Sequence, residues 1–255
     1  MNLCNILRNF LNLKKRIEKK ELPSQGLFYK DDMDIKIKRA SDDDISKYEE
    51  DFIKDNLSLI IKKVKKIVEN NIILSNGYIF EDIKSIDVVF LFLEIVKFTK
   101  NDVISLDYTD VLGKNEKIEF NSKSFNYYNI GEEIMSNYNN DYKYFEINGY
   151  KYSLPSIGIE NCLTQFLLNI SGNIGSGKYN KYSYDFTYFL SDKNFLGFDE
   201  IDNLIDIFNF DINDDEKLKI KKVIKIFIPL QKYSLIKDGI EIEINSKIDL
   251  KNIWK

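Results

Sequence analysis

The chain has 255 residues, 44% hydrophobic and 31% charged, and a formal net charge of −4. That length suffices for one large core or for two domains of about 100–130 residues each, and the negative balance gives no general attraction to nucleic acid or to an acidic membrane. Histidine is absent, which removes the imidazole as general base, phosphoryl carrier or metal ligand and excludes Ser-His-Asp and Cys-His devices.

The first twenty residues place Leu3, Ile6, Leu7, Phe10, Leu11 and Ile17 at helical spacing among Arg8, Lys14, Lys15, Arg16, Lys19 and Lys20. They predict a basic amphipathic helix over residues 1–20, packed on its own domain or on a neighbouring subunit rather than on a membrane. The stretch has no continuous apolar run and no small-residue cleavage site, so it is not read as a secretory signal, and a cytosolic product is expected. Cys4 and Cys162 are too few for a four-thiolate site and read as incidental thiols of a reducing compartment.

Next comes "LPSQG", Leu22–Gly26, in a chain with three prolines. Pro23 and Gly26 suit a turn, and Ile35 and Ile37 alternate with lysines as a half-buried strand does. Ser41 then caps a helix whose first turn carries Asp42, Asp43 and Asp44; the calcium-loop spacing is missing, so capping is preferred to metal binding. Ile60, Ile61, Val64, Ile67 and Val68 share one face of a helix with lysines opposite. "SIDVVFLFLEIVKFT", Ser85–Thr99, is too apolar for a surface and predicts a central helix. "VISLDY" and "KIEFNSKSF" flank "TDVLGKN" as a β-hairpin.

A Tyr- and Asn-rich connector, residues 131–152, includes an Asn148-Gly149 turn and leads to "LPSIG", Leu154–Gly158. Beyond it lie an aromatic region, the helix "FDEIDNLIDIFN", an acidic helix start at "NDDEK", an apolar helix ending at Pro229, and a hairpin turning at Asp238-Gly239. "IEINSK", Ile242–Lys247, echoes "IEFNSK", Ile118–Lys123, as "LPSIG" echoes "LPSQG", in the same order and at similar offsets. Such a pattern marks duplication. The expected fold is α+β: two similar small units of strand, helices and hairpin, at 21–130 and 153–255, with the connector between them.

Three constellations invite chemistry. "GNIGSGKY", Gly172–Tyr179, satisfies the G-x-x-x-x-G-K of a phosphate loop, but Tyr179 stands where Ser or Thr should hold magnesium, and an alternating stretch follows where a helix should open. Tyr182, Tyr184, Phe186 and Tyr188 would line one strand face, a stacking surface for single strands or a protein interface. Paired carboxylates are abundant, and none can be set across a cleft. No catalytic, cofactor or metal residue is therefore named. The partner-binding candidates are Pro23, Gly26, Tyr29, Pro155, Gly158, Tyr182 and Tyr184.

"ELPSQGLFYKDDMDIKIKRASDDDISKY" resembles the opening of the T4-type phage baseplate hub assembly family, which begins with an L-P-S-x-G-x-x-Y phrase, a short strand and an acidic helix start. The family's later apolar helix and two hairpins look like Ser85–Thr99, Val103–Phe125 and Tyr233–Leu250. Members often carry a C-x-x-C pair at the hairpin turns, where this chain has "YTDVLGKN" and "IKDG", so no metal role is carried over. The resemblance implies a baseplate structural component or assembly factor of a contractile tail, residing in the virion after synthesis in the host cytoplasm. It would act by binding other phage tail and baseplate proteins, with several copies per assembly and no enzymatic activity. The skew towards Lys, Asn and Ile, with Ala40 the one alanine, fits A- and T-rich coding in a low-GC bacterium or its phage. The alternatives are a nucleic-acid-binding accessory subunit of a phage transcription machine and a nucleotide-binding protein using Gly172–Lys178.

Overall fold

Alternation over Ile35–Lys38 produces a strand with one dry face: Ile35 and Ile37 are buried, and Lys36 and Lys38 are exposed. This strand, β2, is the centre of an antiparallel sheet in a computed structural model that describes residues 14–41, 43, 44, 46, 57–100, 103–109, 112–120, 125–126, 132–147, 149–170, 195–218, 233–237 and 240–244. Helices and small antiparallel sheets together make a mixed α+β fold. Strand β1 (Lys14–Ile17) flanks β2 with Ile17 opposite Ile35, and β3 (Ile72–Leu74) flanks it with Ile72 opposite Ile37.

β1 corrects the expected N-terminal helix over the part of it that is described. Lys14–Ile17 is a strand and Lys19–Glu21 a 3-10 turn, while residues 1–13 lie outside the described residues. A four-residue piece with one apolar position, Ile17, carries no period of its own. Pairing with β2 and the Arg16–Asp34 salt bridge (2.7 Å) set its conformation.

Helix α1 (Leu57–Asn71) buries Ile60, Val64, Ile67 and Val68 against α2 (Val88–Thr99), whereas Ile61 is 41% exposed. α2 buries every residue from Phe90 to Lys97, as a helix apolar all round must. Glu94 and Lys97 are buried with it; they pair with each other, and Lys15 Nζ of β1 lies 2.8 Å from Glu94 Oε2. The expected cap before α1 is present: Ser41 Oγ accepts the Asp44 N–H at 3.1 Å, and Asp44 Oδ2 accepts the Ser41 N–H at 3.3 Å. Each thus satisfies an orphan donor of the helix start.

β4 (Ile104–Thr109) and β5 (Asn115–Phe120) form the first hairpin, and β10 (Tyr233–Lys237) and β11 (Ile240–Ile244) the last. Their registers correspond. Ser105-Leu106 stands opposite Glu119-Ile118, and Ser234-Leu235 stands opposite Glu243-Ile242. The last hairpin pairs through β10 with β6 (Phe125–Asn126), which follows the first hairpin in the chain.

After the short helix α3 (Glu132–Met135), the connector forms a small sheet of β7 (Tyr138–Asn139), β8 (Tyr144–Ile147) and β9 (Tyr150–Tyr152). Gly149 makes its turn at φ +82°, a left-handed backbone that glycine adopts without strain.

Helix α4 (Ile157–Asn169) joins two cores. Ile157 belongs to the main core of the β1–β2–β3 sheet, α1 and α2. Ile159, Cys162, Leu163, Phe166 and Ile170 pack in a second core with Leu196 and with Ile201 and Ile205 of α5 (Phe198–Asp206). The "NDDEK" stretch starts a helix as expected, and Asn213 caps it, its Oδ1 accepting the Glu216 N–H at 3.0 Å.

Candidate functional site

The two proline phrases meet at one place, the segment Ile83–Asp87 that leads into α2. The first phrase closes on it through Asp87. The Asp87 carboxylate accepts the Ser24 N–H (2.8 Å), the Ser24 hydroxyl (2.7 Å) and the Tyr29 hydroxyl (2.8 Å). Tyr29 Oη in turn accepts the Lys84 N–H at 2.8 Å. One tyrosine oxygen therefore ties the acid and the backbone of the same segment.

The second phrase closes on the other side through main-chain groups. Ser85 N–H donates to Pro155 O and Ile157 N–H donates to Ile83 O, both at 2.9 Å, around a Lys84–Ser156 antiparallel bridge. Ser156 then caps α4, its hydroxyl accepting the Ile159 N–H at 3.3 Å. Lys84 completes the link, donating from Nζ to Ser153 Oγ (3.2 Å) and lying 6.0 Å from the centre of the Phe28 ring.

The same letters take different backbones in the two phrases. In the first, Gly26 sits at φ +75°, and a Cβ there would stand 2.8 Å from Lys19 Cβ. In the second, Gly158 is buried inside α4. Gln25 and Phe28 are also left-handed, at φ +55° and +72°, a conformation non-glycine residues adopt only where surrounding contacts over-determine it. Phe28 is held by rings: Tyr138 lies edge-on at 6.0 Å and Phe145 at 5.6 Å.

Burial of Asp87 pushes its carboxyl up to about 6, against the opposing pull of the Ser24 and Tyr29 hydrogen bonds and the Lys84 charge. A carboxyl with 0% exposure reaches no external substrate. The chemistry open to this cluster is to hold two chain segments on a third. A cavity of about 90 Å³ beside it is lined by Tyr29, Lys84, Tyr142, Lys143 and Ser153, among others.

The structure thus brings Pro23, Gly26, Tyr29, Pro155 and Gly158 together, and it turns most of them inward. Pro23, Tyr29 and Gly158 are buried, and Gly26 and Pro155 are half-buried. Their contacts here are within the chain. Tyr182 and Tyr184, like the whole Gly172–Tyr179 loop, lie outside the described residues. Asp87 and Lys84 were missed by sequence reasoning. The available signal was a charged pair standing at the mouth of the longest apolar run.

Cys162 is buried as a free thiol. Among the described residues no three His, Cys, Asp or Glu side chains gather as metal ligands would, and no helix is long and apolar enough to cross a membrane. Compared with family models, curated proteins and solved structures, the chain gives no match.

Proposed function

We propose that the chain is a component or assembly factor of a contractile phage tail's baseplate, working by binding other tail proteins and turning nothing over. One observation supports this most. The L-P-S-x-G-x-x-Y phrase that carries the family resemblance is spelled by the residues that build the junction. Leu22 is fully buried, Ser24 and Tyr29 donate to Asp87, and Gly26 takes the left-handed turn that brings them round. Four of the five defined letters of the phrase therefore have a physical reason, which makes it a better guide to kinship than its length suggests.

The corresponding registers of the two hairpins favour descent from a duplicated module, with the two proline phrases having since diverged in backbone. In this reading the hairpins carry the contacts with neighbouring tail proteins, their strands offering main-chain groups at the sheet edges.

Affinity purification of the tagged chain from the infected cells that make it, followed by mass spectrometry, tests the reading. Hub or wedge proteins of a tail should be recovered in stoichiometric amounts. Recovery of nucleic acid or of polymerase subunits in their place would contradict it.

A further inference from the structure

We propose that the outer face of the β1–β2 ribbon is a docking surface for an acidic segment of a partner protein. The inference stands on the register of the sheet and does not depend on the tail reading.

Pairing sets like charges directly against each other. Lys14 stands opposite Lys38 and Arg16 opposite Lys36, and all four residues are exposed. Alternation puts them on one face, while Ile17, Ile35 and Ile37 turn the other face into the core. Neighbouring strands lie about 4.8 Å apart and alternate residues roughly 7 Å apart, so the cations form one small rectangle.

Like charges directly opposite each other destabilise a sheet, whereas opposite charges support it. Solubility does not require the arrangement, since interspersed signs provide it without the repulsion. The patch also runs against the balance of the chain, which is −4. A local rule broken in this way, with no gain inside the fold, marks a surface kept for function.

The chemistry of the occupant follows from what the patch takes and what it lacks. On the inner face Lys15 has a carboxylate, Glu94, at 2.8 Å. On the outer face Arg16 has Asp34 at 2.7 Å, whereas Lys14, Lys36 and Lys38 have no ion partner among the described residues. Their ammonium groups are left for carboxylates from outside. Across the sheet from Lys36 stands Ile73 of β3, half-buried, an apolar contact at the border of the patch that suits a protein side chain.

An extended segment with acids at alternate positions presents carboxylates at the same repeat of roughly 7 Å. Single-stranded nucleic acid fits less well, because β1, β2 and β3 carry no aromatic ring on which a base could stack. A second copy of the chain is excluded, because a two-fold contact would set the patch against itself.

Titration of the full chain with a decapeptide of alternating Glu and Thr, followed by amide NMR at low salt, tests the surface. Saturable shifts should centre on Lys14–Ile17 and Ile35–Lys38 and weaken as salt is added. Lys36→Glu sets a carboxylate opposite Arg16, so its thermal midpoint should rise while peptide affinity falls at least about tenfold. Lys14→Gln combined with Lys38→Gln should lower the affinity as well. No saturable binding at low salt, or unchanged affinity in either variant, overturns the proposal. So does tighter binding of an oligothymidylate of equal charge. A midpoint that falls in Lys36→Glu also overturns it, since the like-charge pairs would then serve the fold.

Discussion

Single polar atoms carry the junction, and their loss has calculable consequences. Tyr29→Phe removes one donor to Asp87 and the hydroxyl oxygen that accepts the Lys84 N–H. A buried group left unsatisfied costs about 1–3 kcal/mol, so the urea midpoint should fall accordingly, with the helical circular-dichroism signal retained. Ser24→Ala removes one hydroxyl but leaves the Ser24 amide on Asp87 Oδ1, and a smaller loss of about 1 kcal/mol is expected from the same measurement. Gly26→Ala meets both a left-handed backbone and the Lys19 Cβ at 2.8 Å. It should destabilise by more than the roughly 1 kcal/mol of an ordinary exposed Gly→Ala conflict. Acids also act here with opposite signs. Burial raises Asp44 too, but hydrogen bonds from Asn70, Ser41 and Asn71 outweigh it and hold the carboxyl below its usual value. Asp44 therefore supports its helix above pH 4 and releases it as pH falls lower, whereas Asp87 weakens as pH rises.

At the scale of elements, legibility in the sequence followed the strength of each local signal. The α2 run, the strands of the two hairpins and the Ser41 cap each satisfy one rule with several residues, and each is found where expected. The N-terminal helix failed at Lys14–Ile17, because a single isoleucine among basic residues fits either period and a strand partner eighteen residues on decided the outcome. The proline phrases were legible as special but not as to how. Spelling alone does not distinguish a turn through a left-handed Gly26 from a helix start in which Gly158 lies past the cap. Their shared target was invisible because Asp87 is 63 residues from Ser24. The charged pair inside α2 offers a test at this scale. Glu94 is buried between Lys97 and Lys15, so Glu94→Gln leaves the Lys97 ammonium without its carboxylate. Breaking a buried pair from one side costs about 3–5 kcal/mol, while replacing both partners with apolar groups is far milder. Thermal unfolding of Glu94→Gln should show a large fall in Tm, and Glu94→Met combined with Lys97→Met a smaller one.

Over the whole molecule, the cores and sheets tie together stretches far apart in sequence. Ile157 of α4 enters the core built by the first hundred residues, and β10 completes a sheet begun by β6. The two phrases are the inner side of this arrangement, binding chain to chain. The proposed tail role is tested most directly by removing the chain. In a phage deleted for this chain, electron microscopy of lysates should show tails that lack baseplates or stop short of them, restored when the chain is supplied from a plasmid. Complete, contractile tails in normal number without it would contradict the account.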